Sequence, residues 1–198
     1  MSNNDKGCLP KIKLIVGLGN PEKNLLKTRH NAGYWYLDKL LDKYNVTLSE
    51  DKKLNSSFCK IDHQGDQIFL VKPTFFINDS GKSVSSFLKY YKITPDSMLV
   101  IHDDIDLNAG DVKLKFSGGH GGHNGLRDII NHIGKDYWRL RIGVNHPGRK
   151  ELVHNHVLSN PSKSEELDIN ISINESFENI NILLDGEYEK YTKILHTR

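Results

Sequence analysis

Apolar residues along this chain recur with two different periods, and each change of period marks a new element. Lys11 to Val16 is a short apolar run closed by Gly17, which predicts a buried strand. From Asn31 onward, Tyr34, Leu37, Leu40, Leu41 and Tyr44 share one helical face. Ser57 to Asp62 and Gln67 to Val71 read as two strands joined by a turn at Gln64-Gly65. Helical spacing returns over Asp79 to Tyr91, with Val84, Phe87, Leu88 and Tyr91 as the buried stripe. Met98 to His102 predicts a central strand, and Val112 to Phe116 alternates like a half-exposed one. Leu126, Ile129, Ile130 and Ile133 mark a helix that opens after a glycine cluster, and Leu140 to Val144 predicts a last strand.

The C-terminal pattern points two ways. Ser162 and Glu165 spell a capping box, yet Leu167, Ile169, Ile171 and Ile173 alternate as in a strand. Phe177, Ile180 and Leu184 continue at helical spacing and decide for a helix from about residue 162. Strands interleaved with helices imply a single α/β globular domain over residues 11–198, with a mixed, mostly parallel central sheet flanked by helices. Residues 1–10 are expected to form a flexible extension.

Composition narrows the class. A chain of 198 residues, 37% hydrophobic and 26% charged, can bury a core without disulfides and does not resemble a disordered one. No apolar run is long enough to span a bilayer, and the polar Met1 to Pro10 does not read as a secretory signal. Cys8 and Cys59 are too few for a disulfide scaffold and lack metal spacing, so a reduced, cytoplasmic compartment is expected. The net charge of +2 hides a division into +7 over residues 1–163 and −5 over residues 164–198. A basic body is compatible with a polyanionic partner, although most modestly basic domains bind no nucleic acid.

Three motifs tempt and fail. Gly17-x-Gly19 follows a strand as in a dinucleotide site, but Glu22 replaces the third glycine and Pro21 stiffens the turn. Ser80-Gly81-Lys82-Ser83 resembles the end of a phosphate-binding loop, with Phe76 where the earlier glycine is required. His102-Asp103-Asp104, His120-x-x-His123 and His154-x-His156 have spacings that a metal could use. Glycines around His120 and His123 would order ligands poorly, and His154 and His156 are expected in a surface segment. A metallohydrolase is therefore a rival, and no metal or cofactor is expected.

What survives is a set of polar clusters at the ends of apolar segments, rich in histidine, carboxylate and asparagine. They run Gly17-Leu18-Gly19-Asn20-Pro21, Thr28-Arg29-His30-Asn31-Ala32-Gly33, Lys72 to Gly81, and His102-Asp103-Asp104-Ile105-Asp106-Leu107 leading into Gly118 to Gly125. Such groups can add water to a carbonyl: histidine takes a proton near neutral pH, a carboxylate fixes its tautomer, and asparagine amides donate to a developing oxyanion. No Gly-x-Ser-x-Gly elbow is present for a serine nucleophile. Taken alone, His30 could equally cap a helix, Asp103 could be a turn residue, and Lys113 and Lys115 could form a solvated strand face.

In this order, and with Arg139-Leu140-Arg141-Ile142-Gly143 and His146-Pro147-Gly148 completing the series, the clusters resemble the motifs of bacterial-type peptidyl-tRNA hydrolases over roughly residues 12–148. The resemblance implies a monomeric, metal-free enzyme that cleaves the ester between a peptide and the 3′ end of tRNA, so that its partner is tRNA carrying a peptide. It implies His30 as general base, Asp103 as its supporting carboxylate, and Asn20 as the group that holds the peptide main chain. Asn78 and Asn124 would contact the substrate's 3′ end and position the water or the oxyanion, with Phe76 in the same cleft. Lys113, Lys115 and Arg141 would face the tRNA. The chain departs from the family pattern at Glu22, Ser117 and Asn145, where glycine is usual, at Ile77 for methionine, and at Leu25, which takes the place of a substrate-contacting tyrosine. An RNA-binding module without activity is the alternative, but such a module has no use for a general base.

Overall fold

The computed structural model describes residues 9–196, so that of the expected N-terminal extension only Leu9 and Pro10 fall within it. A seven-stranded sheet in the order β2-β3-β4-β1-β5-β7-β6 organises the chain. Its centre is parallel: β1 (Leu14–Gly17) lies between β4 (Asp66–Pro73) and β5 (Met98–Asp104), and β5 pairs in turn with β7 (Trp138–Gly143). Both margins are antiparallel, with β3 (Ser56–His63) and β2 (Ser49–Asp51) on one side and β6 (Val112–Phe116) on the other. The sheet is mixed as predicted. The strand β2 escaped the sequence reading because its three residues, Ser-Glu-Asp, carry no apolar signal.

Alternation along β1 divides the core. Ile15 faces α1 (Ala32–Tyr44) through Leu37 and Leu40, together with α5 (Lys163–Glu178), α6 (Ile180–Leu184) and α7 (Tyr188–Leu195), and Ile12, before the strand begins, joins the same layer. Leu14 and Val16 face α2 (Ser80–Tyr91) and α3 (Asn124–Ile133), meeting Val84, Phe87, Leu126 and Ile129. The strand is therefore buried on both faces, which explains its uninterrupted apolar run. A short helix, α4 (Val153–Val157), joins β7 to α5. His156 on it is half-buried, and its Nε2 donates to the carbonyls of Val144 and Asn145, so the segment is less superficial than its sequence suggests.

The ambiguous C-terminal stretch is helical. Ser162 Oγ accepts from Glu165 N while Glu165 Oε2 accepts from Ser162 N, closing the predicted capping box. Two residues advance a helix by about 200°, so a period-two pattern places Ile169 and Ile173 in the core and Leu167 and Ile171 outside. The single helix expected from residue 162 is in fact three, α5 to α7.

Close backbone contact sets where the functional loops fall. A Cβ on Gly33 would lie 2.3 Å from Ile101 O and 2.6 Å from Leu18 N and O, so the first turn of α1 rests directly on the backbone of β5 and of the chain leaving β1. That contact brings the turn Arg29–Asn31 to the carboxyl ends of β1 and β5, where sheets of this kind keep their sites.

Candidate active site

A cleft of about 570 Å³ opens at these strand ends. It is lined by Asn20, Leu25, His30, Phe76, Asn78, Asp103, Asn124, Lys115 and Arg141, residues that lie as far apart in sequence as 20 and 141. Lys113 is the one predicted site residue outside the lining; it pairs with Arg141 across the β6–β7 ladder and lies further along the same sheet face.

Asp103, next to last in β5, is buried and gathers three imidazoles. His30 Nδ1 lies 2.9 and 3.0 Å from its two carboxylate oxygens, and His123 Nε2 lies 3.1 Å from Oδ1. His102 Nδ1 lies 2.6 Å from the Asp103 main-chain oxygen. These partners determine the tautomers, since a carboxylate or carbonyl can only accept. His123 Nδ1 accepts from Leu126 N at the start of α3, so its proton sits on Nε2 and points at Asp103. His30 donates through Nδ1, which leaves its Nε2 with a lone pair on the cleft side. His123 has both nitrogens engaged and His102 is fully buried, so His30 alone of the three presents a basic nitrogen to the cleft.

The electrostatics follow from this packing. Burial opposes a charge on His30, but the Asp103 charge and hydrogen bond outweigh it and raise the imidazole above its usual range. Burial likewise opposes ionisation of Asp103, yet the histidine charges and hydrogen bonds hold its carboxyl well below the usual range. His102 goes the other way: burial, helped by His123, pushes it down to about 3, so it stays neutral.

The asparagines are oriented as donors. Asn20 Oδ1 accepts from Ile77 N at 3.0 Å, and Asn124 Oδ1 accepts from Arg127 Nη1 at 2.9 Å. Each is left with an Nδ2 that has no acceptor among the described residues. Asn31 does not cap α1; its side chain bonds both N and O of Asn20 and so fixes the loop that follows β1. The sequence showed Asn31 inside a motif but offered no sign of its partner.

Register puts four cations on one face, with Lys113 opposite Arg141 and Lys115 opposite Arg139. Asp104 Oδ2 accepts from Arg141 Nε at 2.7 Å; among the described residues the other three have no carboxylate partner within salt-bridge distance. Like charges directly opposed in a ladder are unfavourable unless something anionic joins them. Arg139 was missed in the sequence, although it stands two residues before Arg141 and period two places both on one face. Its guanidinium bonds the carbonyls of Gly118 and Gly119 and stacks 4.7 Å over the Tyr137 ring, which anchors the start of the glycine run. Ser117 and Asn145 take φ of 60° and 62°, the left-handed region that favours glycine. Their side chains bond Asp136 and Ala109 N respectively.

The metal rival takes an unexpected form. His30, Asp103 and His123 hold three potential ligand atoms within 4.8 Å, a combination that none of the sequence spacings contained. Both nitrogens meet the carboxylate at hydrogen-bond distance, 2.9 to 3.1 Å, and Leu126 N, by donating to His123 Nδ1, leaves the His123 proton on Nε2, directed at Asp103.

The family model described as Peptidyl-tRNA hydrolase matches residues 14–198. Peptidyl-tRNA hydrolase of Psychrobacter arcticus is 47% identical over 179 residues, covering 90% of this chain and 93% of that protein. The Acinetobacter baylyi protein of the same name is 45% identical with the same coverage. A crystal structure of peptidyl-tRNA hydrolase from Acinetobacter baumannii superimposes with a TM-score of 0.91 at 42% identity, over 94% of this chain and 95% of that one.

Proposed function

Since the chain belongs to the peptidyl-tRNA hydrolase family and hydrolyses peptidyl-tRNA, we propose that it does so without a metal, with His30 as general base. The observation that carries this reading is the Asp103–His30 pair, which leaves the His30 Nε2 lone pair on the side of the cleft. Water bound there gives its proton to Nε2 as its oxygen attacks the ester carbonyl. Asp103 stabilises the imidazolium that forms. The tetrahedral oxyanion is met by amide donors from Asn20, Asn78 or Asn124, whose Nδ2 groups have no acceptor among the described residues. Collapse breaks the bond between the acyl carbon and the ribose 3′ oxygen, and His30 returns its proton to that oxygen. One water is consumed, and a peptide carboxylic acid and a free 3′-hydroxyl result.

Asn20 holds the peptide main chain and so favours acylated over free amino groups. Phe76, half exposed beside Asn78, offers a stacking face to the 3′ end, and Leu25 supplies apolar surface without the hydroxyl that a tyrosine would add. Lys113, Lys115, Arg139 and Arg141 form a cationic face that suits the phosphates of tRNA. No helix among the described residues is long and apolar enough to cross a membrane. We place the enzyme in the cytoplasm as a monomer, because the whole proposed site comes from one chain.

Release of peptide from N-acetyl-aminoacyl-tRNA tests the reading. His30→Ala should nearly abolish turnover while tRNA still binds, and a chelator should leave the wild-type rate unchanged. Normal turnover by the variant would remove His30 as the base, and loss of activity on chelation would restore the metal reading.

A further inference from the structure

Arg29 precedes the proposed base and is almost completely buried, its side chain 7% exposed. Its guanidinium spreads over one turn of chain: Nη1 donates to the carbonyls of His156, Ser159 and Asn160 and to Ser159 Oγ, at 2.7 to 3.2 Å. Nη2 donates to Glu165 Oε2 at 2.7 Å. Glu165 is itself a junction, accepting from Ser162 N through Oε2 and from Asn145 Nδ2 through Oε1. Burial opposes its ionisation, but these hydrogen bonds outweigh burial and draw it down to about 2. Arg29 is buried and Glu165 half-buried, so desolvation offsets part of the Coulomb gain and the pair is a weak source of stability by itself. The segment held in this way is the far wall of the cleft: Val153, His154, Val157 and Leu158 all line it.

We propose that Arg29 and Glu165 are positioning residues for hydrolysis, locking the α4 wall of the cleft to the turn that carries His30. One guanidinium then sets the separation between base and wall, and the acidic C-terminal segment serves the site by supplying Glu165. The proposal rests on His30 being the base. A misplacement of about 1 Å between reacting groups costs on the order of a hundredfold in rate, so a loosened latch acts on kcat rather than on tRNA affinity.

The test compares R29K and E165Q with S162A, which removes the Ser162 Oγ half of the α5 cap and leaves the Arg29–Glu165 pair in place. In R29K and E165Q, kcat on N-acetyl-aminoacyl-tRNA should fall by about ten- to a hundredfold with KM little changed. S162A should lose stability yet keep its kcat. Amide exchange over residues 153–160 should quicken in R29K and E165Q and not in S162A. Wild-type kcat in E165Q, unchanged exchange, or the same loss of kcat in S162A would overturn the proposal. His30→Ala in the same assay keeps the two readings apart: activity there would remove the base, while exchange over residues 153–160 would still decide for or against the latch.

Discussion

Asp103 is the residue on which the site turns, because its hydrogen bonds decide what each imidazole can do. Its carboxylate accepts hydrogen bonds from His30 Nδ1 and His123 Nε2, and of these two imidazoles only His30 keeps a nitrogen for substrate. Asp103→Asn keeps the volume but removes the charge. His30 acts as its neutral form, so activity falls as pH drops through its pKa, and Asp103 raises that pKa. In the variant the acid limb of kcat/KM should therefore shift to lower pH, and kcat should fall by about 10²- to 10⁴-fold as the base weakens and its tautomer is freed. A pH–rate profile measures both. His30 and Asp103 were legible as candidates from their motifs. His123 was visible only as half of a metal spacing, because nothing local says that an α3 N-cap also reaches a carboxylate 20 residues away.

Among elements, the decisive contact is between α1 and the strands beneath it. Gly33→Ala would drive a methyl group into Ile101 O and Leu18 N and O, none of which can yield without moving β5 or the loop after β1. A loss of about 3 kcal/mol is expected, read as a lower urea midpoint at constant m. The N-terminus of α5 responds to pH instead. Glu165 is depressed from its ordinary 4.5 to about 2, so its stabilising contacts are present above the ordinary value and disappear as pH falls through the lower one. The gap in Tm between wild type and E165Q should thus be wide at neutral pH and close between about 4.5 and 2. The capping box that starts this helix was plain in the sequence because it is local. Its use of Glu165 to grip Arg29, 136 residues away, was not.

At the scale of the molecule, charge is sorted in space as well as along the chain. The β6–β7 ladder collects Lys113, Lys115, Arg139 and Arg141 beside the cleft, and of these four Arg141 alone is paired with a carboxylate, Asp104, among the described residues. Replacing Lys113 and Lys115 by alanine should weaken tRNA binding and reduce the slope of log K against log salt by about one to two, with little effect on the chemical step at saturating substrate. An unchanged slope would mean that the phosphates are held elsewhere.

The sequence by itself determined the elements whose signals are short-range: apolar runs, helical stripes, the Gln64-Gly65 turn and the Ser162 cap. It also determined the chemical kit, since histidine, carboxylate and asparagine stand at strand ends in any α/β arrangement of these segments. Only the tertiary structure decided which nitrogen is basic, which cations share a face, and what the acidic C-terminal segment holds. Those properties depend on partners 20 to 136 residues away. A hydrogen bond or a charge is specified by its neighbours in space, and the chain reveals those neighbours only when it folds.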